Sequence, residues 1–304
     1  MVDPGSGKAD FTDIYARPDP RAYFSTLGPL GYQVPRHAEP VVETVLDARP
    51  GATVLDVCCS YGINAALLRG TVAYDDLVAR HADPARAGLP SAQVVADDAA
   101  FHAAHRHPAG PHVIGLDASA PAVGYGTATG LLDAGFAEDL EARDPSPALT
   151  AALAGVDVIM CTGGIGYVGP ATFRRLLDAA ARPERMFVVA FVLRVFDYAP
   201  VVDVLDGFGL VTERVPAAAC RQRRFADADE RAAACRDVAA RGLDPTGYEA
   251  AGWYHADCFV TRPADAAPPL PGVPVTASGA PGAGLTVPAP RAARGRRSAT
   301  ARTS

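Results

Sequence analysis

The stretch Thr53-Val-Leu-Asp-Val-Cys-Cys-Ser-Tyr-Gly-Ile-Asn-Ala-Ala-Leu-Leu68 decides how this chain is read. The apolar run Val54-Leu55 ends in Asp56, small residues follow at Cys58, Cys59, Ser60 and Gly62, and helix-forming residues begin at Ala65. This order predicts a buried strand, a sharp turn and a helix, the unit that holds a nucleotide-like ligand over the edge of a parallel sheet. A nicotinamide dinucleotide suits the turn poorly. Its fingerprint needs G-x-G-x-x-G so that backbone can approach a pyrophosphate, and only Gly62 is a glycine here. Asp56 would repel a diphosphate but suits a cation, such as an ammonium or a sulfonium. Without a ligand the same residues would make an ordinary strand, turn and helix of an α/β core.

The rhythm continues downstream. Strands are expected at Val113-Ile-Gly-Leu-Asp117, at 135–138, at Val156-Asp-Val-Ile-Met-Cys161 and at Met186–Leu193, the last almost wholly apolar as in a strand covered on both faces. Further strands are expected at 210–215 and 253–261, with helices at 40–48, 121–133, 171–181, 199–207 and 227–241. Strands separated by helices give an α/β fold, doubly wound around a mostly parallel, seven-stranded Rossmann-like sheet. Residues 1–10 read as flexible. Residues 11–50 read as a helical cap, because Phe11, Ile14, Tyr15, Tyr23, Phe24, Leu27 and Tyr32 carry enough apolar surface to bury. The ligand-binding domain spans 51–262 with a polar insertion at about 71–111, and 263–304 reads as a disordered Pro/Ala/Arg-rich tail.

With 304 residues and a hydrophobic fraction of 49%, the chain has the material for a substantial core. The net charge of −6 hides an asymmetry: Arg291, Arg294, Arg296, Arg297 and Arg302 lie in the tail, which leaves the body near about −11. An acidic body argues against nucleic acid as the main partner. The six cysteines include no C-x-x-C pair and several sit in apolar runs, which fits small hydrophobes in a reduced, cytoplasmic setting. No basic start followed by an apolar stretch marks a signal peptide, and no run reaches the length of a membrane span.

The turn after the first strand, Asp117 and the loop Cys161-Thr-Gly-Gly-Ile-Gly-Tyr167 should all lie at the carboxyl ends of strands, where open α/β sheets bind ligands. A carboxylate at Asp117 can accept both hydroxyl protons of a ribose, or cap the helix that begins near Ser119. In this order the motifs resemble those of class I S-adenosylmethionine (SAM)-dependent methyltransferases of the small-molecule type. In that family the turn is usually G-x-G-x-G after an acid; here it reads Asp56-Val-Cys58-Cys-Ser60-Tyr61-Gly62, with two glycines replaced by small residues. The resemblance implies SAM as cofactor and Asp117 as the ribose acid. It implies that Asp139 and Leu140 frame adenine, and that the loop with Thr162, Gly163 and Tyr167 lies beside the reacting sulfonium. It also implies methyl transfer to a small molecule by in-line displacement, with the cap closing over the crevice.

Tyrosine faces attract a sulfonium, which makes Tyr15, Tyr23 and Tyr167 the candidate catalytic residues, with Tyr32 and Tyr61 nearby in kind. His37 and His255 are candidate bases, needed only for a protonated acceptor. His102, His105 and His107 lack the spacing of a metal site, and Arg221-Gln-Arg223-Arg224 either holds a substrate carboxylate or lies exposed. Two other uses of a SAM site stay open: cyclisation of SAM with release of methylthioadenosine, and non-catalytic SAM binding. The acceptor and the oligomeric state are not legible in one sequence.

Overall fold

The computed structural model describes residues 11–215 and 219–268; the expected flexible start and all but the first residues of the expected tail lie outside them. Three helices, α1 (Thr12–Tyr15), α2 (Arg21–Leu27) and α3 (Val34–Asp47), precede β1 (Thr53–Val57). After α4 (Ile63–Arg69) the insertion folds as α5 (Tyr74–Ala82), α6 (Pro84–Ala87) and α7 (Ser91–Ala104). Strands and helices then alternate: β2 (His112–Asp117), α8 (Ala120–Ala128), β3 (Ala134–Ala137), α9 (Pro147–Leu153), β4 (Val158–Thr162), α10 (Pro170–Ala179), β5 (Phe187–Leu193), α11 (Ala199–Asp206) and β6 (Leu210–Arg214). The described chain closes with β7 (Cys220–Arg224), α12 (Ala228–Ala240) and β8 (Trp253–Pro263).

The sheet order is β3-β2-β1-β4-β5-β8-β6, with β7 also paired to β8. β1 to β5 run parallel, and β8 inserts antiparallel between β5 and β6. This is the doubly wound arrangement expected, with eight strands rather than seven. The missed strand is β7, whose sequence Cys-Arg-Gln-Arg-Arg has neither the apolar content nor the alternation that marks a strand. Pairing to β8 and burial of Gln222 and Arg223 make it one. Chain order reverses between β1 and β4, so the crevice at their carboxyl ends is the topological switch point.

Alternate residues of each strand feed two cores. Val54, Val113, Val158 and Val189 pack under the N-terminal helices, while Leu55, Ile114, Ile159 and Val188 pack against the opposite layer. All seven residues of β5 are buried, as its unbroken apolar run requires.

The insertion is knitted to the cap rather than left in solvent. Phe24 stacks on His81 at 4.7 Å, and Arg21 Nη1 donates to the carbonyls of Arg86, Ala87 and Leu89. At its centre Asp98, fully buried, accepts from Arg80 Nε at 2.8 Å, Arg86 Nη2 at 2.5 Å and Tyr125 Oη at 2.9 Å. Replacing Asp98 by Ala should strip two guanidiniums of their counterion and cost about 3–5 kcal/mol of unfolding free energy. Urea denaturation checks this; a loss below about 1 kcal/mol would mean that the arginines find water instead.

Candidate functional site

The turn after β1 has three residues in the left-handed region: Cys58 at φ +60°, Ser60 at φ +52° and Gly62 at φ +79°. L-residues other than glycine enter this region at a cost of order 1 kcal/mol each. The backbone therefore takes a path suited to three glycines with only one glycine present. Gly62 needs its hydrogen for packing as well, since a Cβ there would press on Leu131 at 3.3 Å. Cys58 is accommodated by a second glycine: a Cβ on Gly164 would lie 2.8 Å from Cys58 Sγ and 2.7 Å from Cys161 Sγ. The thiol thus turns toward the loop after β4. A hydrogen bond with Cys161, together with burial, pushes the Cys58 thiol pKa up. Burial does the same to Cys59, so both stay neutral thiols, and all six cysteines are free.

Asp117 ends β2 and faces this turn. Its Oδ2 accepts from the Ser60 amide at 2.9 Å and its Oδ1 from the Ser119 amide at 2.9 Å. Burial raises its pKa, against the pull of those backbone N–H groups. Each carboxylate oxygen has further acceptor capacity. Beside it, the Ser60 hydroxyl is buried without a hydrogen-bond partner.

Asp56 stands one layer deeper. It is fully buried, and Asn64 Nδ2 donates to its two oxygens at 3.1 and 3.2 Å and to Thr162 Oγ1 at 2.9 Å. Burial pushes the Asp56 pKa up to about 8, opposed by the Asn64 hydrogen bond. The structure thus gives Asp56 a neighbour, Asn64, that ties the first turn to the loop after β4. Asn64 was not singled out from the sequence; its signal is a lone amide among Ile63, Ala65, Ala66, Leu67 and Leu68.

The cap closes over the turn. Tyr61 Oη donates to the carbonyls of Ile14 at 2.7 Å and Arg17 at 2.9 Å, and Ser119 Oγ donates to the Tyr15 carbonyl at 2.6 Å. The Tyr15 hydroxyl is pushed far up in pKa by burial and by the proximity of Tyr32, Tyr167, Asp117 and Cys58. Tyr32, Tyr167 and Asp117 therefore all lie near the Tyr15 hydroxyl. Tyr23 is buried behind them, with ring centroids 5.9 Å from Tyr15, 6.0 Å from Tyr32 and 6.2 Å from Tyr61. Gly163, at φ +83°, opens the loop after β4, and its amide donates to the Phe191 carbonyl at 3.0 Å.

Asp139 and Leu140 follow the end of β3, the strand paired to β2 at Asp117. Asp139 is exposed and accepts from the Glu141 amide, while Leu140 is buried in the core with Leu149 and Leu153. His255 is buried beside Glu249, and burial lowers its pKa to about 4. His37 is half-buried, with its pKa lowered by burial and by Arg36. Arg223 is neither exposed nor free: both its terminal nitrogens bind Glu230, at 2.9 and 2.6 Å, whereas Arg221 and Arg224 lie over the Trp253 ring. His102 is buried, with its pKa lowered to about 4 by burial. Among the described residues no group of three or more His, Cys, Asp or Glu side chains is placed to hold a metal ion, and no helix is long and apolar enough to cross a membrane.

The chain matches no protein-family profile and no curated protein sequence. Solved structures of similar wrap include YcgJ from Bacillus subtilis, at 11% identity over 75% of this chain and 98% of that one, with a TM-score of 0.44. A SAM-dependent methyltransferase from Aquifex aeolicus is 13% identical over 84% of this chain and 100% of its own, with a TM-score of 0.38. The O-methyltransferase TomG from Streptomyces achromogenes, solved with SAM, is 11% identical over 83% and 93%, with a TM-score of 0.34. Two of these three are SAM-dependent methyltransferases.

The buried Asp56 has a consequence for pH dependence. Its folded pKa, about 8, lies above the ordinary value of 3.8, so its contribution to stability is full below the ordinary value and is lost as pH rises through about 8. Asp56→Asn keeps the shape and removes the titration. The melting temperature of the parent should therefore fall relative to Asp56→Asn between about pH 4 and about pH 8 and level off above it, as thermal denaturation across that range will show; parallel curves would mean that Asp56 ionises normally.

Proposed function

We propose that the protein is a SAM-dependent methyltransferase acting on a small-molecule acceptor. The observation that carries this reading is the left-handed path at Cys58, Ser60 and Gly62, set directly against the Asp117 carboxylate. The bare Gly62 lets Leu131 pack against the turn, Cys58 turns its thiol toward Gly164, and the Ser60 amide faces Asp117. The residues fit the group by two further marks. Asp117 retains acceptor capacity for the two ribose hydroxyls, and the buried, unpartnered Ser60 hydroxyl is a vacant donor and acceptor at the turn itself. Asp139 and Leu140 remain the proposed adenine frame, and Thr162 and Gly163 the proposed neighbours of the methionyl sulfur.

Bound there, SAM would supply a methyl group on a cationic sulfur for an acceptor lone pair to take, with S-adenosylhomocysteine as the leaving group. The chain's own contribution is placement. Tyr15 and Tyr32, held neutral by burial, offer ring faces and hydroxyls to a cation. Tyr167 shares that crevice, and Tyr23 backs it. The cap, pinned by Tyr61 and Ser119, excludes water from the crevice once the reactants are in. Positioning of this kind supplies most of the rate of an in-line displacement.

SAM at 100 times its Kd should stabilise the protein by about 2.7 kcal/mol, and NADH at the same concentration should not. Asp117→Asn should weaken SAM binding roughly 10- to 150-fold, equivalent to a lost charged hydrogen bond of about 1.5–3 kcal/mol; isothermal titration gives the ratio, and unchanged affinity removes Asp117 from the site. Mass spectrometry of the adenosine product then separates the reactions. S-adenosylhomocysteine formed only with cell extract supports methyl transfer, methylthioadenosine formed without extract supports cyclisation, and tight binding with neither product supports a non-catalytic role.

A further inference from the structure

β7 divides its side chains between two environments. Gln222 and Arg223 are 3% and 2% exposed: a Cβ on Gly163 would lie 2.9 Å from Gln222 Nε2, and Arg223 is held by Glu230. Arg221 and Arg224, on either side of them, are exposed, and each guanidinium lies 5.0 Å from the Trp253 ring centroid. The ring itself is held in place. The cap turn presses on its edge through Gly31, at φ +67°, where a Cβ would lie 3.0 Å from Trp253 Cη2. The neighbouring Leu30 carbonyl accepts from the Arg224 amide at 2.7 Å. Among the described residues neither guanidinium has a carboxylate or a hydrogen-bond acceptor. Glu230 on α12, Glu249 shortly before β8 and Asp257 on β8 are already paired, with Arg223, Arg194 and Arg214. The Arg221 charge is accordingly felt at His255, whose pKa is lowered to about 4 by burial first and then by Arg194 and Arg221.

We propose that Arg221, Arg224 and the Trp253 ring form a binding platform for a phosphate monoester carried on a small molecule. The platform lies on the exposed side of β7 and does not rest on the methyltransferase reading. Two unpaired guanidiniums match the charge of roughly −1.5 to −2 and the acceptor oxygens of a phosphate monoester near neutral pH. A carboxylate would leave one of the two cations without a counterion. Guanidinium forks bind such oxygens bidentately, and stacking on the indole restrains both side chains before a ligand arrives, which lowers the entropy cost of binding. Trp253 is only half-buried, so it also offers ring surface to the organic part of the ester. A nucleic acid is disfavoured as the source of the phosphate, because the chain carries a net charge of −6 and a polyanion would have to approach all of it.

Trp253 is the only tryptophan of the chain, so its fluorescence reports on this site alone. Phenyl phosphate, inorganic phosphate and benzoate are titrated against the full chain at matched ionic strength, with isothermal titration as the second measurement. Phenyl phosphate should give a saturable change in Trp253 fluorescence and bind about tenfold more tightly than benzoate, which lacks the second charge, and than inorganic phosphate, which lacks the ring. Arg221→Gln and Arg224→Gln should each weaken phenyl phosphate about tenfold while melting at the parent temperature. A parent that shows no saturable change overturns the proposal. So does benzoate bound as tightly as phenyl phosphate, or an Arg221→Gln/Arg224→Gln double variant of unchanged affinity. Inorganic phosphate bound as tightly as phenyl phosphate overturns the assignment to an ester. S-adenosylhomocysteine, titrated separately, decides the SAM reading, and its outcome leaves this one unaffected.

Discussion

The site depends on one backbone constraint, the left-handed path of the turn at Cys58, Ser60 and Gly62. Two L-residues hold a conformation that costs of order 1 kcal/mol each, and such strain persists only where the surroundings over-determine it. Here they do. The Ser60 amide is held by Asp117, the Tyr61 hydroxyl by two cap carbonyls, the Cys58 thiol by Cys161 and the space over Gly164. The turn, the end of β2, the loop after β4 and the cap are therefore one mechanical unit. A change at Gly164 would be felt at Cys58, although the two lie on different loops.

Desolvation is the second organising force. Asp56 is fully buried while Asp117, Tyr15 and Tyr32 are half-buried, and each prefers its neutral form more than it would in water. Fixed neutral dipoles in such surroundings interact more strongly than they would in bulk water, because water screens them less. The same burial takes His255 out of acid–base work by lowering its pKa to about 4.

Much of the fold was legible because hydrophobic periodicity survives in this chain. The run 186–193 could only be a doubly covered strand, and β5 is one. Asp117 and the 162–167 loop were legible because strand ends in a parallel sheet share an edge. β7 was not, since its arginines are held by partners on the next helix and on β8, Glu230 and Trp253, which no strand pattern reveals. Asn64 and Gln222 were missed for a related reason: an amide becomes conspicuous only when burial leaves its hydrogen bonds to be counted. The insertion read as polar surface because the ion-paired hub at Asp98 cannot be told from a solvated charge by composition.

Local order along the chain, then, was enough to determine the strand–turn–helix at 53–68, the α/β alternation and the edge on which a ligand would lie, because short-range patterning dictates secondary structure and chain reversal dictates the crevice. Tertiary structure alone decided that Cys58 and Ser60 adopt glycine-like backbone, that Asp56 answers to Asn64, and that Tyr32 and Gln222 meet over Gly163. Those outcomes turn on which groups are taken out of water together. Burial is a property of the packed chain, and no window of sequence contains it.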